Sequence, residues 1–323
     1  MKLKRILIGV LACSVVPCAV HAHDFPSRPV TWVVPFAPGG VTDASVRVVA
    51  KALGETLGTP VIVDNRAGAG GIVGTEYVAR SKPDGYTILF GGTGPLLTNQ
   101  YVYKKLSYDP IKSFSPIHSF FESPLIMVVN ANAPYKTIGE FVDFAKKNPG
   151  RINFGSPGAG TTPHLASQLL QMDADIKLTH VPYKGSAPAM ADLLAGLLDV
   201  SFDYSAVVKP MIDAGKLRAI AVTGNDRMKN FANVPTLKEA GYSRSVISAW
   251  SIIVSAANTP QPIVTQLAEA FDRTLRKPEV AEFFEKNGSM VMQPLSGAKL
   301  TDFLLDENSK IKAVVERSGL KAE

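Results

Sequence analysis

The feature that most constrains the fold of this chain is a regular alternation of short apolar runs with stretches of helical periodicity. The apolar runs Val30–Val34, Val61–Val63 and Tyr86–Phe90 are separated by predicted helices at residues 43–57 and 74–80. In the first of these helices, apolar residues recur at a spacing that places them on one face. Strands that alternate with helices in this way are typical of a parallel sheet in an α/β fold.

The same alternation recurs in the middle of the chain and predicts a second α/β unit. Its predicted strands lie at residues 125–129, 152–154, 180–183, 199–203 and 219–222, and its predicted helices at 138–147, 163–172 and 187–195. A C-terminal segment adds a predicted strand at 250–254 and predicted helices at 261–277, 278–286 and 300–316. This last segment is too small to form a domain by itself, so we expect it to return to the first unit.

The sequence therefore predicts two lobes, one formed by residues 23–123 and 248–323 and the other by residues 124–247. We expect two mainly parallel sheets with helices on both faces. Ligands of open α/β sheets bind beyond the carboxyl ends of the strands, and pockets are common where domains meet. The cleft between the lobes is the predicted site.

A glycine-rich loop follows the first predicted strand and reads PFAPGGVTD at residues 35–43. Glycines allow the backbone to approach a ligand closely, and the start of a helix offers unpaired N–H groups and the positive end of a dipole. Together these features favour an anion site. The alternative interpretation is an ordinary turn between a strand and a helix, capped by Thr42 or Asp43.

A second loop of the same kind, FGSPGAGTTPH at residues 154–164, lies in the other predicted lobe. It follows a strand and opens a helix, with Thr161 or Thr162 as candidate caps and Pro163 suited to the first turn. Two helix N-termini that face one cleft from opposite lobes would hold a small anion. This pairing favours the anion interpretation for both loops.

A third glycine-rich loop, NRAGAGGIVG at residues 65–74, does not match a nucleotide-binding motif, because its glycine spacing differs and no Gly-Lys-Ser/Thr follows. The sequence contains neither a G-x-S-x-G nucleophile motif nor a H-E-x-x-H zinc motif. His164 and Asp203 are candidate cleft residues, although a capping histidine and an ordinary strand-end aspartate are equally consistent. Arg66 is the cation nearest to the glycine loops, or a surface arginine. We predict no metal, no cofactor and no enzymatic activity.

The first 22 residues have the pattern of a secretory signal peptide. Lys2, Lys4 and Arg5 precede an apolar run, and Val20-His21-Ala22 has small residues at the two positions that a signal peptidase recognises. We predict cleavage after Ala22; lipidation at Cys13 is an alternative. Both cysteines of the chain, Cys13 and Cys18, lie in this segment, so the predicted mature chain has no disulfide and no thiol nucleophile.

Charge gives little support for a nucleic-acid partner. The chain has 34 basic and 28 acidic residues, and three of the basic residues lie in the signal peptide, which leaves 31 and 28 and a net charge of +3. Nucleic-acid binding requires a more concentrated basic surface. No stretch of the predicted mature chain is long and apolar enough to span a membrane.

A series of motifs runs through the chain in this order: PFAPGG with Asp43, NRxGAGG at 65–71, DGYT at 84–87, GTxxH at 160–164, VPYKG at 181–185, and Asp199-Val200 with Phe202-Asp203. Together these motifs resemble the Bug family of periplasmic receptors associated with tripartite tricarboxylate transporters. The resemblance covers the whole predicted mature chain. It implies a two-lobed periplasmic binding protein of the Venus-flytrap, type II-like architecture.

The resemblance also implies a ligand and a set of ligand-binding residues. The implied ligand is a small carboxylate: a di- or tricarboxylate, an acidic amino acid or an aromatic acid. The implied contacts are Phe36, Ala37, Gly39, Gly40, Thr42 and Asp43 on one side, and Ser156, Thr161, Thr162, His164 and Asp203 on the other. Implied partners are membrane transporter subunits or a sensor kinase, and we expect a monomer, because a flytrap must move.

Departures from the family pattern concern the identity of the ligand. Val41 replaces a small residue, Ile252 replaces the glycine of a W-x-G motif, and residues 91–97 contain fewer serines and threonines. The sequence thus predicts a receptor for a carboxylate that it does not specify. The alternative is an exported hydrolase or lyase that acts in the same cleft, although the sequence offers no paired nucleophile and base.

Overall fold

The computed structural model describes residues 25–183 and 185–318, so the predicted signal peptide and Cys13 lie outside the described residues. Within the described residues, ten strands form the framework. They are β1 (Val30–Val34), β2 (Val61–Asn65), β3 (Thr87–Gly92), β4 (Phe114–Asn130), β5 (Asn153–Ser156), β6 (Thr179–Pro182), β7 (Val200–Tyr204), β8 (Leu217–Val222), β9 (Ser248–Ala256) and β10 (Met290–Val291).

In the same described ranges, ten α-helices accompany these strands. They are α1 (Val41–Leu57), α2 (Ile72–Ala79), α3 (Asn99–Val102), α4 (Ile138–Lys147), α5 (Thr162–Ala174), α6 (Ser186–Ala195), α7 (Ser205–Asp213), α8 (Gln261–Leu275), α9 (Pro278–Lys286) and α10 (Gly297–Ser318). A wider helical segment, Gly94–Thr98, leads into α3. Short 3₁₀ turns occur at Ala69–Gly71, Lys229–Phe231 and Ser243–Ser245.

The strands form two sheet regions that share β4. In the first region β1 pairs in parallel with β2 and β3, and β9 joins β3 to β4 by antiparallel pairing. In the second region β5 pairs in parallel with β6 and β7, while β4 pairs antiparallel with β7 and β8. Parallel pairing thus covers three strands in each region. The sheets contain more antiparallel pairing than the sequence pattern predicts. The reason is that β4 and β9 pair antiparallel with each other, β9 also with β3, and β4 also with β7 and β8.

Each sheet region carries buried apolar side chains on both faces. In the first region, Trp32 and Phe90 pack with α1, α8 and α9, whereas Val33 and Leu89 pack with residues of α2 and α10. In the second region, Phe202 packs with α4 and α5. Residues of β4 on the opposite face pack with α6 and α7. The result is a two-lobed α/β fold in which helices cover both faces of each sheet, as predicted.

The register of β4 shows where the lobes meet. Glu122 in β4 lies opposite Trp250 in β9, while three residues later Leu125 lies opposite Tyr204 at the end of β7. The end of β3 at Gly92 lies opposite Ser251. At residues 122–125, which form the β4 crossover, β4 passes from the first sheet region to the second. The carboxyl ends of β3 and β7 therefore both lie beside this crossover. Because β1 is parallel to β3 and β5 is parallel to β7, all four strands end toward this crossover.

The longest elements that differ from the sequence-based expectations are β4 and α7; the short elements α3 and β10 were also not predicted. β4 begins at Phe114, whereas the pattern predicts a strand only from Leu125. Pro116 and Pro124 lower the strand signal, and the register of β4 against β9 shifts twice, between Pro116 and His118 and between Ser119 and Glu122. The helix α7 was not predicted, and it contains Pro210. Within the described ranges, we find no helix with the length and apolar character that crossing a membrane would require.

Candidate functional site

The first glycine loop forms an exposed turn that leads directly into α1. The residues from Ala37 to Gly40 are exposed, and Phe36 is partly buried against Phe90, with 6.4 Å between the ring centroids. Gly39 has φ of +84°, a left-handed conformation that favours glycine. Gly40 is the N-cap of α1, and no side chain caps this helix, so neither Thr42 nor Asp43 does. Its first N–H groups are available to a ligand.

The side chain of Asp43 stabilises the first glycine loop through hydrogen bonds and does not project from it. Its carboxylate accepts hydrogen bonds from the backbone N–H of Gly39 (2.9 Å), from Arg47 Nε (3.0 Å) and from Asn65 Nδ2 (2.9 Å). The side chain is buried. Burial works against its charged form, but the hydrogen bonds from Arg47, Gly39 and Asn65 outweigh that effect and lower the pKa of Asp43. The predicted contact residue is therefore occupied in shaping the turn.

The third glycine loop supports the first. Asn65 Nδ2 also donates to the backbone carbonyl of Phe36 at 3.1 Å. Gly74, in the first turns of α2, lies so close to Pro35 that a Cβ atom there would be 2.9 Å from the Pro35 Cα. Gly74 of the third glycine loop thus allows α2 to pack closely under the first loop.

The second glycine loop leads into α5 in the same way. Thr161 is the N-cap of α5 without a side-chain cap to the helix, because its hydroxyl donates to the Gly158 carbonyl at 2.7 Å. Ser156 is buried, and its Oγ lies 2.7 Å from His180 Nε2 and accepts from the Gly158 N–H at 3.2 Å. Residues 157–159 and Thr161 are partly exposed. The accessible groups of this loop are therefore backbone groups and Thr161.

His164 lies beneath this loop, within a stack of rings. Its ring is 4.0 Å from that of His180, and His180 in turn stacks on Phe154 at 4.7 Å. The backbone N–H of Gly160 donates to His164 Nδ1 at 2.9 Å, so this nitrogen carries no proton. Burial, together with the neighbouring His180, lowers the pKa of His164 to about 3, and burial lowers that of His180 to about 4. Both rings are neutral at ordinary pH, and His164 positions Gly160.

Gly160 also brings the second loop against the first lobe. A Cβ atom at this position would lie 2.9 Å from Val102 Cγ2 and 3.1 Å from Thr98 Cγ2, both in the segment that follows β3. Gly160 has φ of +75°. The second loop therefore packs on the strand-end segment of the other lobe, beside the crossover of β4.

Asp203 lies at the end of β7 and is fully buried. Its Oδ1 accepts from Ser186 Oγ (2.9 Å) and from the Tyr204 N–H (2.8 Å), while its Oδ2 has no hydrogen-bond partner among the described residues. Burial raises the pKa of Asp203 to about 6, although these two hydrogen bonds oppose the rise. Asp203 thus connects β7 to the N-terminus of α6 and offers no exposed surface.

Arg66 turns away from the glycine loops. Its Nε lies 2.7 Å from Asp64 Oδ2, and its guanidinium group stacks on the Tyr77 ring at 3.5 Å. Arg66 lines a cavity of about 640 Å³ between α2 and the segment before β3. This cavity is open and lies on the first lobe. Of the other cations in its lining, Arg28 and Arg80 are paired with Asp84 and Glu76, and Lys82 is the third. The cavity does not include the glycine turns.

The structure thus separates the predicted residues into two groups. Residues with exposed or partly exposed groups at the strand ends are Phe36, Ala37, Gly39, Gly40, Thr42 and Thr161. Buried residues that shape the loops are Asp43, Ser156, Thr162, His164 and Asp203. Sequence reasoning missed Asn65, Arg47 and His180, which complete the two networks. Only the i,i+4 spacing of Asp43 and Arg47 could have indicated one of them.

The comparisons with known proteins agree with this architecture. A family model described as tripartite tricarboxylate transporter family receptor matches residues 45–320. The solved structure of periplasmic binding protein BugD superposes with a TM-score of 0.83 at 33% identity, over 93% of this chain and 100% of that chain. The chain belongs to the Bug family of periplasmic receptors. The family and its structural neighbours are solute-binding proteins and not enzymes, so the alternative of an exported hydrolase or lyase is set aside.

Other relatives extend over almost the whole chain. The protein from the tcbD-tcbE intergenic region of Pseudomonas sp. strain P51 is 38% identical over 99% of this chain and 95% of its own length. An R. palustris structure with adipate has a TM-score of 0.84 at 31% identity, over 92% of this chain and 99% of that chain. MatC from Rhodopseudomonas palustris, with bound malate, has a TM-score of 0.81 at 31% identity, over 90% and 100%.

Proposed function

We propose that this Bug-family receptor binds a small carboxylate at the strand ends between its two lobes. The observation that carries this proposal is the pair of glycine loops, each leading into a helix with no side-chain cap, on strands that end toward the same crossover. The adipate and malate bound to two structural neighbours support a carboxylate as the ligand class.

The chemistry of the two loops suits a carboxylate without a buried cation. The strand-end segments 35–44, 93–99 and 157–165 contain no lysine or arginine. Backbone N–H groups and the Thr42 hydroxyl are the available donors, and hydrogen bonds to an ionised acceptor are about twice as strong as neutral ones. The positive ends of two helix dipoles add to this attraction.

The remaining parts of the proposal concern the organisation of the protein. We propose that residues 23–123 with 248–323 and residues 124–247 are the two lobes, which agrees with the point at which β4 passes between the sheet regions. We propose export with cleavage after Ala22, a monomeric receptor, and delivery of the ligand to transporter subunits or to a sensor kinase. Closure of the lobes around the ligand would supply the signal for such a partner.

The test is isothermal titration calorimetry of the refolded mature chain against citrate, malate, adipate, glutamate, nicotinate, benzoate and terephthalate. We expect at least one carboxylate to bind, and a saturating excess of about 100 times Kd to stabilise the fold by about 2.7 kcal/mol. Gly39→Val should abolish this binding, because a β-branched residue does not tolerate the φ of +84° and the turn would move.

Gly58→Val is the matched control. Gly58 has φ of +69°, and a Cβ atom there would also meet open space, but it lies at the C-terminal end of α1. We expect a similar loss of stability with unchanged ligand affinity. Unchanged affinity in Gly39→Val would contradict the anion site, and a refolded wild-type chain that binds no carboxylate would refute the proposed function.

A further inference from the structure

His118 of β4 is a buried histidine that the proposed carboxylate site does not use. Its Nδ1 lies 2.5 Å from the Ser119 carbonyl oxygen, and a carbonyl oxygen only accepts hydrogen bonds, so Nδ1 carries a proton. Burial lowers the pKa of His118, although the Ser119 carbonyl and Asp272 oppose this effect, so the ring is neutral at ordinary pH. The other ring nitrogen, Nε2, therefore has an unprotonated lone pair.

The Nε2 lone pair opens on a cavity of about 470 Å³ between β4, α8 and the segment before α10. His118 and Asp272 both line this cavity, and Nε2 lies 3.9 Å from Asp272 Oδ1, too far for a hydrogen bond. Among the described residues Nε2 has no hydrogen-bond partner, and protein atoms do not fully enclose it. It is thus an acceptor that a molecule in the cavity can reach, and the volume is typical of small-molecule sites.

The residue next to His118 holds one wall of the cavity in place. The Ser119 N–H donates to the Leu295 carbonyl, its Oγ donates to the Gln293 carbonyl, and Oγ also accepts from the Leu295 N–H, each at 2.9 Å. These bonds fix the wall formed by residues 294–297 against the strand that carries His118. The pairing of β4 with β9 is irregular on both sides of this point, and such bulges redirect side chains.

The lining of the cavity combines negative charge with an apolar surface. Two carboxylates, Glu269 and Asp272, line it together with one guanidinium group, Arg273. The buried side chains of Ile117 and Val264 supply the apolar part. Because the carboxylates outnumber the guanidinium and His118 is neutral, the lining favours a ligand that is positively charged and partly apolar.

The ion pair that Asp272 forms leaves acceptor capacity on its carboxylate. Arg276 Nε and Nη2 lie 2.9 and 3.0 Å from its two oxygens, and a carboxylate offers about four lone-pair sites. Within the described ranges, no third histidine, cysteine, aspartate or glutamate joins His118 and Asp272 in a set that could hold a metal ion. A ligand with N–H donors therefore suits this pair of acceptors better than a metal ion does.

From this arrangement we propose that the cavity binds the primary ammonium group of a small organic amine. One ammonium nitrogen can lie about 2.9 Å from both His118 Nε2 and Asp272 Oδ1, because the two acceptors are only 3.9 Å apart. The alkyl part of the amine then packs on Ile117 and Val264. The site is separate from the proposed carboxylate site, since no residue of the glycine loops lines the cavity.

The test compares three probes that share one alkyl chain. A ligand-observed NMR titration of the mature chain at about pH 8 would measure n-butylammonium, n-butyltrimethylammonium and butanol. We expect n-butylammonium to bind at least about ten-fold more tightly than the other two, because it alone combines a positive charge with N–H donors. Equal affinity of the two cations, or no binding of n-butylammonium, would overturn the inference.

Variants of the two acceptors locate the binding. His118→Leu and Asp272→Asn should each weaken n-butylammonium binding by about ten-fold or more. Asp272 is partly exposed, so its variant keeps the test decisive if His118→Leu does not fold. The matched control is Asp213→Asn, because Asp213 also pairs with a cation one helical turn away, Lys209, but lies on α7. It should bind n-butylammonium as the wild type does. Wild-type affinity in folded Asp272→Asn would mean that the amine binds elsewhere and would refute this site.

Discussion

At the scale of single residues, Asp203 has the least favourable environment of the predicted site residues. It is fully buried, one of its oxygens has no hydrogen-bond partner among the described residues, and burial raises its pKa to about 6. Its ordinary value in an unfolded chain is near 3.8. Between about pH 4 and pH 6, the folded protein therefore keeps a proton on Asp203 that the unfolded chain has already released. Ionisation of Asp203 lowers the stability of the fold as the pH rises through this window.

We predict that Asp203→Asn stabilises the protein at pH 8 and much less at pH 4. A difference of about two pKa units corresponds to at most about 3 kcal/mol at high pH. Denaturant unfolding of the ligand-free wild type and variant at pH 4, 6 and 8 measures this difference, and changes in His164 and His180 cancel between the two proteins. Asp213→Asn, which makes the same substitution at an exposed position on α7, is the control. A pH-independent difference for Asp203→Asn would contradict the buried ionisation.

At the scale of elements, the N-terminus of α5 depends on a hydrogen bond that the preceding loop donates to a histidine ring in the first turn of the helix. The N–H of Gly160 donates to His164 Nδ1, and both residues are buried. We predict that His164→Leu weakens carboxylate binding and lowers the free energy of unfolding by about 1–3 kcal/mol, because the Gly160 N–H loses its acceptor. His164→Asn should retain much of both, since the Asn side-chain oxygen can replace the acceptor Nδ1.

The control for this pair is His118→Leu, which replaces a buried histidine of β4 in the first lobe. His118 Nδ1 lies 2.5 Å from the Ser119 carbonyl oxygen, away from both glycine loops. His118→Leu should lower the free energy of unfolding without a change in carboxylate affinity. If His164→Leu and His118→Leu had the same affinity as the wild type, the ring would have no part in shaping the second loop.

The sequence was informative about elements where its pattern was local. The first strands and helices, both glycine loops and their place at strand ends follow from apolar periodicity and glycine positions, and the observed helix α1 begins only two residues before the predicted one. The first half of β4 was missed, because its pairing with β9 joins residues more than 120 positions apart and its prolines mask the strand signal. Similarly, the roles of Asp43 and His164 depend on Asn65 and Gly160, whose contacts no spacing predicts.

At the scale of the whole molecule, the contacts between the lobes lie on two sides of the β4 crossover. On one side, Gly160 packs on Thr98 and Val102. On the other, Gly288 after α9 packs on Ser205 at the start of α7. Each side relies on a glycine with positive φ and no space for a side chain. Such tight contacts limit the relative positions that the lobes can adopt when they close on a ligand.

Gly288→Ala tests this idea, because its Cβ atom would lie 2.4 Å from Ser205 Cβ, and Gly288 has φ of +68°. Gly215→Ala has nearly the same φ, +67°, but its Cβ atom meets open space, so it measures the backbone strain alone, about 1 kcal/mol. We predict that Gly288→Ala loses more stability than Gly215→Ala and also weakens ligand binding. Adding Ser205→Gly to Gly288→Ala should restore both, because it removes the atoms that clash. Unfolding and calorimetry on the four proteins measure these effects, and equal losses for the two alanine variants would mean that the lobes adjust freely at this contact.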